Sequence, residues 1–239
     1  MLLLGIETAG DVCGVALMDG DRLVAEAALH VPRAHASHLV PQIQSVLQHA
    51  GVAAADLAAV AVSAGPGSFT GLRIGVSTAK GLCVATGAAL VGVPTLTALA
   101  LEATTWVDDP TRVIAALPSR RGQAFCALAT GGPVHTLELS ALAADARALV
   151  DDRGPVWIVG PAAEDVAAAL RQGGAADVRA HPTLPSAVSV ARLGAARLAA
   201  GQTENLAAFE PDYVAPAYVG AVPFIPDAAA GTGAGARLS

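Results

Sequence analysis

The chain opens on an unbroken apolar run over residues 2–8, closed by Glu7-Thr8 and followed by Ala9-Gly10-Asp11. A short run with no polar alternation reads as a strand buried on both faces. Residues 12–18 repeat the pattern, Asp19-Gly20-Asp21 supplies a hairpin turn, and residues 22–28 predict a third strand. The period then changes. Leu39, Ile43, Val46, Leu47 and Ala50 recur at helical spacing, with Ser37 expected as N-cap, Pro41 in the first turn and Gly51 as the stop. A buried strand over 57–63 runs into the turn-rich loop 65–71. A helix over 72–85, capped by Thr70, follows it, then a strand over 88–93 and a helix capped by Thr95 that runs to about Thr104.

Residues 106–110 read as a linker, after which the pattern restarts. Strands are expected over 113–117 and 123–129 around the turn Arg120-Arg121-Gly122, and a third over 134–139 after Gly131-Gly132-Pro133. A helix over 141–150, a strand over 156–159 and helices over 162–171 and 186–200 complete it. Each half begins with strands and a hairpin, which points to two related lobes of α/β type. The expected division is 1–104 for the first lobe, completed by a helix over 186–203, and 105–185 for a smaller second lobe. The Pro-, Ala- and Gly-rich residues 223–239 are expected to be disordered.

Composition sharpens this picture. Hydrophobic residues make up 54% and aromatic residues 3%, so the core must be built from Ala, Val, Leu and Ile, as suits helices packed on a parallel sheet. Residues 81–101 carry no charge, but Gly87, Gly92, Pro94 and a change of period read as helix, strand and helix rather than one membrane span. No basic region precedes the short apolar run at the N-terminus, which argues against a secretory signal. The expected location is the cytoplasm, with no membrane partner. The net charge is -6 and Lys80 is the only lysine, so a nucleic acid would have to be gripped mainly by another protein. Three widely separated cysteines, Cys13, Cys83 and Cys126, read as buried thiols in a reducing compartment.

Candidate chemistry is sparse. An acid closing a first strand, as Glu7 does, can organise a magnesium ion while the next turn offers backbone N–H groups to phosphate. The structural alternative is a hairpin whose Glu7 caps its own turn. The run Gly65-Pro-Gly-Ser-Phe-Thr-Gly-Leu-Arg-Ile-Gly75 joins strand to helix, where an anion could sit. It lacks the Lys-Ser/Thr pair of a Walker loop, and Pro66 removes one donor. Gly71, Gly75, Ser77, Ala79 and Gly81 make the following helix thin, which favours close packing against another helix, within the chain or between subunits. His35 and His38 are three apart with no third ligand in view, so no metal site is assigned. Val156-Trp-Ile-Val-Gly-Pro161 is a strand ending in a glycine turn that a nucleotide-binding chain could place under an adenosine. No nucleophile motif appears.

Three groups of residues resemble the TsaB (YeaZ) family of tRNA threonylcarbamoyladenosine biosynthesis proteins, relatives of the TsaD/glycoprotease family. They are Ile6-Glu-Thr-Ala9 with Val15-Ala-Leu17, His35 with Leu39 and Pro41, and above all residues 65–75, with Gly92-Val-Pro-Thr-Leu96 following. The likeness is strong over residues 1–100 and collinear to about 218. It implies a two-lobed actin-like ATPase (RNase H-like) fold with mixed sheets flanked by helices. It also implies a non-catalytic partner of a TsaD-type threonylcarbamoyl transferase, joined by a TsaE-type ATPase. The tRNA, ATP and metal would then be handled by those subunits, and no cofactor would be held here. The partner surface, which could also support a homodimer, is expected at His35, Leu39 and Ile43 of the first helix and at Leu72, Gly75, Val76, Ala79, Lys80 and Cys83 of the second. A charge placed at Gly75 or Ala79 is expected to block it. Glu7, Thr8, Gly65, Gly67 and Ser68 would be a vestigial nucleotide loop. Glu7 stands where the family more often has aspartate, and Pro118-Ser-Arg-Arg-Gly-Gln123 lacks two acids of the corresponding family segment. Pro211-Asp-Tyr-Val-Ala215 likewise lacks a basic residue. The alternatives are a nucleotide-dependent enzyme of the actin/sugar-kinase fold and a metalloprotease-like protein.

Overall fold

The computed structural model describes residues 1–31, 35–149 and 154–214. Its first sheet is built from β1 (Leu2–Glu7), β2 (Val12–Asp19), β3 (Arg22–His30), β4 (Ala59–Gly65) and β5 (Ala89–Pro94), in the order β3-β2-β1-β4-β5. β1, β2 and β3 form an antiparallel meander, and β4 and β5 add in parallel on the other side of β1. The second sheet contains β6 (Val113–Pro118), β7 (Gln123–Leu128), β8 (His135–Glu138), β9 (Val156–Val159) and β10 (Val178–His181), in the order β10-β9-β6-β7-β8. Read from the opposite end, that is the same topology. The two sheets are repeats in architecture although no repeat shows by residue identity.

The helices follow the repeat. α1 (His35–Ala50) and α4 (Leu139–Leu149) follow the two meanders, and α2 (Phe69–Thr86) and α5 (Ala163–Gln172) are the parallel crossovers. α3 (Thr95–Ala100) and α6 (Ala187–Ala199) end the two halves, and each packs against the sheet of the other half. α6 lies across β1, β2, β4 and β5, while α3 lies on β6 and β7.

Alternation along β1 explains the layering. Leu4 and Ile6 face α1 and α2 with Val15, Leu17, Val60 and Val62, whereas Leu3 faces α6 with Ala61, Val91, Val190 and Ala191. Each fully buried Val, Leu or Ile contributes about 1.5–3 kcal/mol relative to exposure, and alanine-rich surfaces add area by close approach instead. α6 shows this clearly. A Cβ on Gly5 would collide with the Ala187 carbonyl oxygen and, at 2.7 Å, with Ala191 Cβ, and one on Gly194 would collide with Ala61 Cβ.

Several local expectations need correction. α1 begins at His35, so Ser37 lies inside the first turn and Pro41 in the second, on the exposed side. α2 begins three residues earlier than its apolar period, and its cap is Ser68, whose Oγ accepts from Gly71 N at 3.2 Å, not Thr70. Thr95 is a helical residue, and its hydroxyl accepts from Gly65 N at 3.2 Å. α3 stops at Ala100 and gives way to a 3₁₀ turn at Ala103–Thr105. β10 went unpredicted because its four residues alternate around the charged Arg179 and form a sheet edge. The uncharged stretch 81–101 divides among α2, β5 and α3, and among the described residues no helix is long and apolar enough to cross a membrane. The expected disorder over 223–239 lies outside the described residues.

Substitution of Gly5 by valine should lower the unfolding free energy by about 3 kcal/mol, because backbone rather than a flexible side chain fills the space. Replacing exposed Gly81 of α2 by alanine, where a Cβ meets nothing, should raise it by roughly 0.5–1 kcal/mol. Urea unfolding of the two variants beside the parent chain checks both signs.

Candidate functional site

The end of β1 meets the glycine-rich entry to α2 at contact distance. A Cβ on Gly71 would strike the Thr8 carbonyl oxygen, one on Gly75 would strike Thr8 Oγ1, and one on Gly67 would stand 2.5 Å from the Ala9 carbonyl oxygen. Ser68 N donates to that Ala9 oxygen at 2.7 Å. Gly65, at φ +121°, is covered from the other side by the Asp212 backbone. The expected nucleotide-loop residues Glu7, Thr8, Gly65, Gly67 and Ser68 are therefore brought to one corner of the first lobe.

Their polar groups are turned inward. The Glu7 carboxylate is fully buried, accepts from Ala9 N at 2.6 Å through Oε1, and accepts the Ser63 hydroxyl proton through Oε2. Burial without a cation pushes its pKa up to about 7, and the bonds from Ser63, Ala9 and Gly10 oppose the rise without cancelling it. Glu7 does cap its own turn. Thr8 Oγ1 is buried beneath Gly75 and has no hydrogen-bond partner among the described residues. Ser63 is the partner that sequence reading missed, since its place in β4 gave no polar signal.

Between the lobes lies a cleft of about 480 Å³. Its first-lobe wall is Ala9, Gly10, Asp11, Gly67, Ser68 and Phe69, and its second-lobe wall includes Pro118, Ser119 and Arg120. Gly67 and Ser68 line it, and Glu7, Thr8 and Gly65 do not. The turns Ala9-Gly10-Asp11 and Ser119-Arg120 occupy equivalent places in the repeat and face each other across it. Gly160, in the turn after β9, is closed off by the Ala116 carbonyl and Leu99, while Pro161 reaches the cleft.

The residues expected to form a partner surface are mostly turned into the chain. His35, Leu39, Ile43, Leu72, Gly75, Val76, Ala79 and Cys83 are all buried, most of them in the core between the helices and the first sheet. Half-buried Lys80 is committed within the chain, donating to the carbonyl of Phe209 at 3.0 Å and that of Ala207 at 3.5 Å. The apolar spacing of these residues is that of the core-facing stripe, which is why the structure buries them. A charge at Gly75 or Ala79 would disrupt the lobe itself. The outward side of the same two helices carries Val40, Phe69 and Val84, exposed by 50%, 54% and 75%. His35 is buried and His38 exposed, and among the described residues no three His, Cys, Asp or Glu side chains cluster. Cys13, Cys83 and Cys126 are buried free thiols, Cys126 pushed up to about 12 by desolvation.

Two repeated sheets, exchanged terminal helices and an interlobe cleft define an actin-like, two-lobed α/β protein. A ROK family protein from Streptococcus pneumoniae, solved in complex with sucrose, shares that fold over 84% of this chain and all of its own at a TM-score of 0.50 and 10% identity. A Pseudomonas aeruginosa protein described as similar to peptidase YEAZ aligns over 89% of this chain and 98% of its own, with a TM-score of 0.74 and 25% identity. Residues 29–145 match the family described as TsaD, tRNA N6-adenosine threonylcarbamoyltransferase. The tRNA threonylcarbamoyladenosine biosynthesis protein TsaB of Escherichia coli is 38% identical over 128 residues, which are 53% of this chain and 54% of that protein. The tRNA N6-adenosine threonylcarbamoyltransferase of Solidesulfovibrio magneticus is 41% identical over 119 residues, 44% of this chain and 32% of its own. The chain thus spans about half the length of the TsaB relative and about a third of the transferase. Across these comparisons the chain is similar to TsaB/YeaZ proteins.

The buried carboxylate makes stability depend on pH. Glu7 ionises near pH 4.5 when unfolded and near 7 when folded, so its contribution is full below the lower value and lost as pH rises through the upper one. Glu7→Gln should make the protein more stable than the parent at pH 8, by on the order of 3 kcal/mol, with the gap closing toward pH 5. Urea midpoints of both proteins from pH 5 to 8 test this, and parallel profiles would contradict it.

Proposed function

We propose that this chain is a non-catalytic partner of a TsaD-type threonylcarbamoyl transferase, acting in threonylcarbamoyladenosine formation at the adenosine 3′ of the anticodon in tRNAs reading ANN codons. The observation that carries the reading is the inward commitment of the first-lobe loop. Glu7 is bonded to Ala9 N and Ser63, and Ser68 N is bonded to Ala9 O, so an acid and two donors that a phosphate–magnesium site would need are already used. The likeness to TsaB proteins supports the pathway, and the matches to TsaD-type transferases support the partner. A TsaE-type ATPase joins them, and ATP and metal are held by those subunits. The tRNA is reached through the transferase, as suits a chain of net charge -6. The protein works in the cytoplasm, and the same helices allow self-association when the partner is absent.

The pairing surface is the outward side of α1 and α2. Val84 is 75% and Val40 50% exposed there. Val84→Arg should weaken association with the TsaD-type subunit of the same organism by about tenfold or more without changing the unfolding midpoint. Light-scattering chromatography of the mixture should give a one-to-one complex for the parent chain. Separate peaks for the parent at low and moderate salt, or tight binding of ATP with magnesium by calorimetry, would overturn the reading.

A further inference from the structure

Residues 204–213 run back along the first lobe as a strap. Glu204 N donates to the Leu90 carbonyl at 2.8 Å and Asp212 N to that of Ala64 at 2.7 Å, while the Phe209 ring covers Gly92. The strap is tied to α2 by two cations. Lys80 Nζ holds the carbonyls of Phe209 and Ala207, and Arg73 Nε donates to Tyr213 Oη at 3.0 Å. The Arg73 guanidinium also stacks on Phe69, 3.9 Å from its centroid, and Phe69 and Tyr213 pack at 4.9 Å. A groove of about 290 Å³ is left between helix and strap, lined by Arg73, Ser77, Lys80, Phe209, Glu210 and Tyr213 among others.

Two cations and one acid, Glu210, line this groove, so its basic charge is only half offset from within. Among the described residues neither Arg73 nor Lys80 forms an ion pair, Glu210 included, although acidic groups outnumber basic ones in the chain. Carbonyl and phenol oxygens solvate a cation without neutralising it. Stacking fixes the plane of Arg73 and its one bond uses Nε, which leaves the two terminal nitrogens as a fork for a carboxylate. Lys80 keeps one of its three donors. Positions 73, 77 and 80 share a helix face, with exposed Ser77 between cations whose Cα atoms stand about 10 Å apart.

The geometry points to a two-cation seat for acidic side chains of the partner protein. This inference rests on the partner reading above and specifies its chemistry: the surface laid against α2 carries two carboxylates about two helical turns apart. Two cations on a molecule of net charge -6 form too small a basic patch for a nucleic-acid backbone, whereas a protein surface needs only local complementarity.

Two probes test it on the full chain: the TsaD-type subunit, and a fluorescent alanine-rich helical peptide bearing two glutamates seven residues apart. Ser77→Glu, which disturbs no described internal bond, and the double change Arg73→Gln with Lys80→Gln should each weaken both probes by about tenfold at low salt. The double change should also flatten the salt dependence. Arg73→Lys keeps the charge and loses the fork, so it should weaken both probes, but by less than the double change does, while the strap loosens. If the subunit binds and neither change affects its affinity or salt slope, the seat is overturned while the partner reading stands. If the subunit fails to bind but the peptide shows the expected losses, the partner reading falls and the acidic seat stands. Peptide binding that ignores Ser77→Glu, or is absent from the parent chain, overturns the seat.

Discussion

The close approach of the end of β1 to the entry of α2 governs the first lobe. Gly67 and Gly71 let the backbone of Ala9 and Thr8 lie directly on the loop and helix, and Gly75 makes room for the Thr8 side chain. Nothing with a side chain fits there, so the helix sits lower on the sheet than ordinary packing allows. Thr8 Oγ1 and the Glu7 carboxylate are both buried there, and Ser63 and the Ala9 amide are the carboxylate's hydrogen-bond partners. The raised Glu7 pKa, the burial of Ala79 and Cys83, and the shape of the first-lobe cleft wall follow from the same contact.

Much of the fold was legible from period and punctuation. The meander at residues 2–30 and its hairpin at Asp19-Gly20-Asp21 have strong local signals, and both parallel crossovers carry a helix between apolar runs. Weak local signals account for what was lost. β10 is four residues at a sheet edge, and the Ser68 cap precedes the helix's apolar period. The architectural repeat is visible in strand order alone, because packing needs alternation and volume at each position, not identity.

The site was legible in a different way. Glu7, Thr8, Gly65, Gly67 and Ser68 lie together at one corner, and glycines and an acid at turn positions are the sequence mark of places where backbone meets backbone. What one sequence could not show is direction. Leu39, Ile43, Val76 and Cys83 announced themselves by helical spacing, and that spacing reports the face turned toward the sheet. The outward residues, Val40, Ser77 and Val84, form no apolar stripe. Arg73 and Tyr213 are 140 positions apart and meet only because the strap returns across β5 and along α2.

The exchange of terminal helices bears on how the chain is made. As the polypeptide leaves the ribosome, all five strands of the first sheet are present by Pro94, yet α6 begins only at Ala187. Until then Leu3, Ala61, Val91 and Val93 form an uncovered apolar sheet face, and Gly5 is a vacant slot. The first half to be synthesised is therefore the last to be sealed. The nascent chain needs protection from self-adhesion throughout production of the second half, and a ribosome stall between the two sheets yields a fragment with a complete sheet and one bare side.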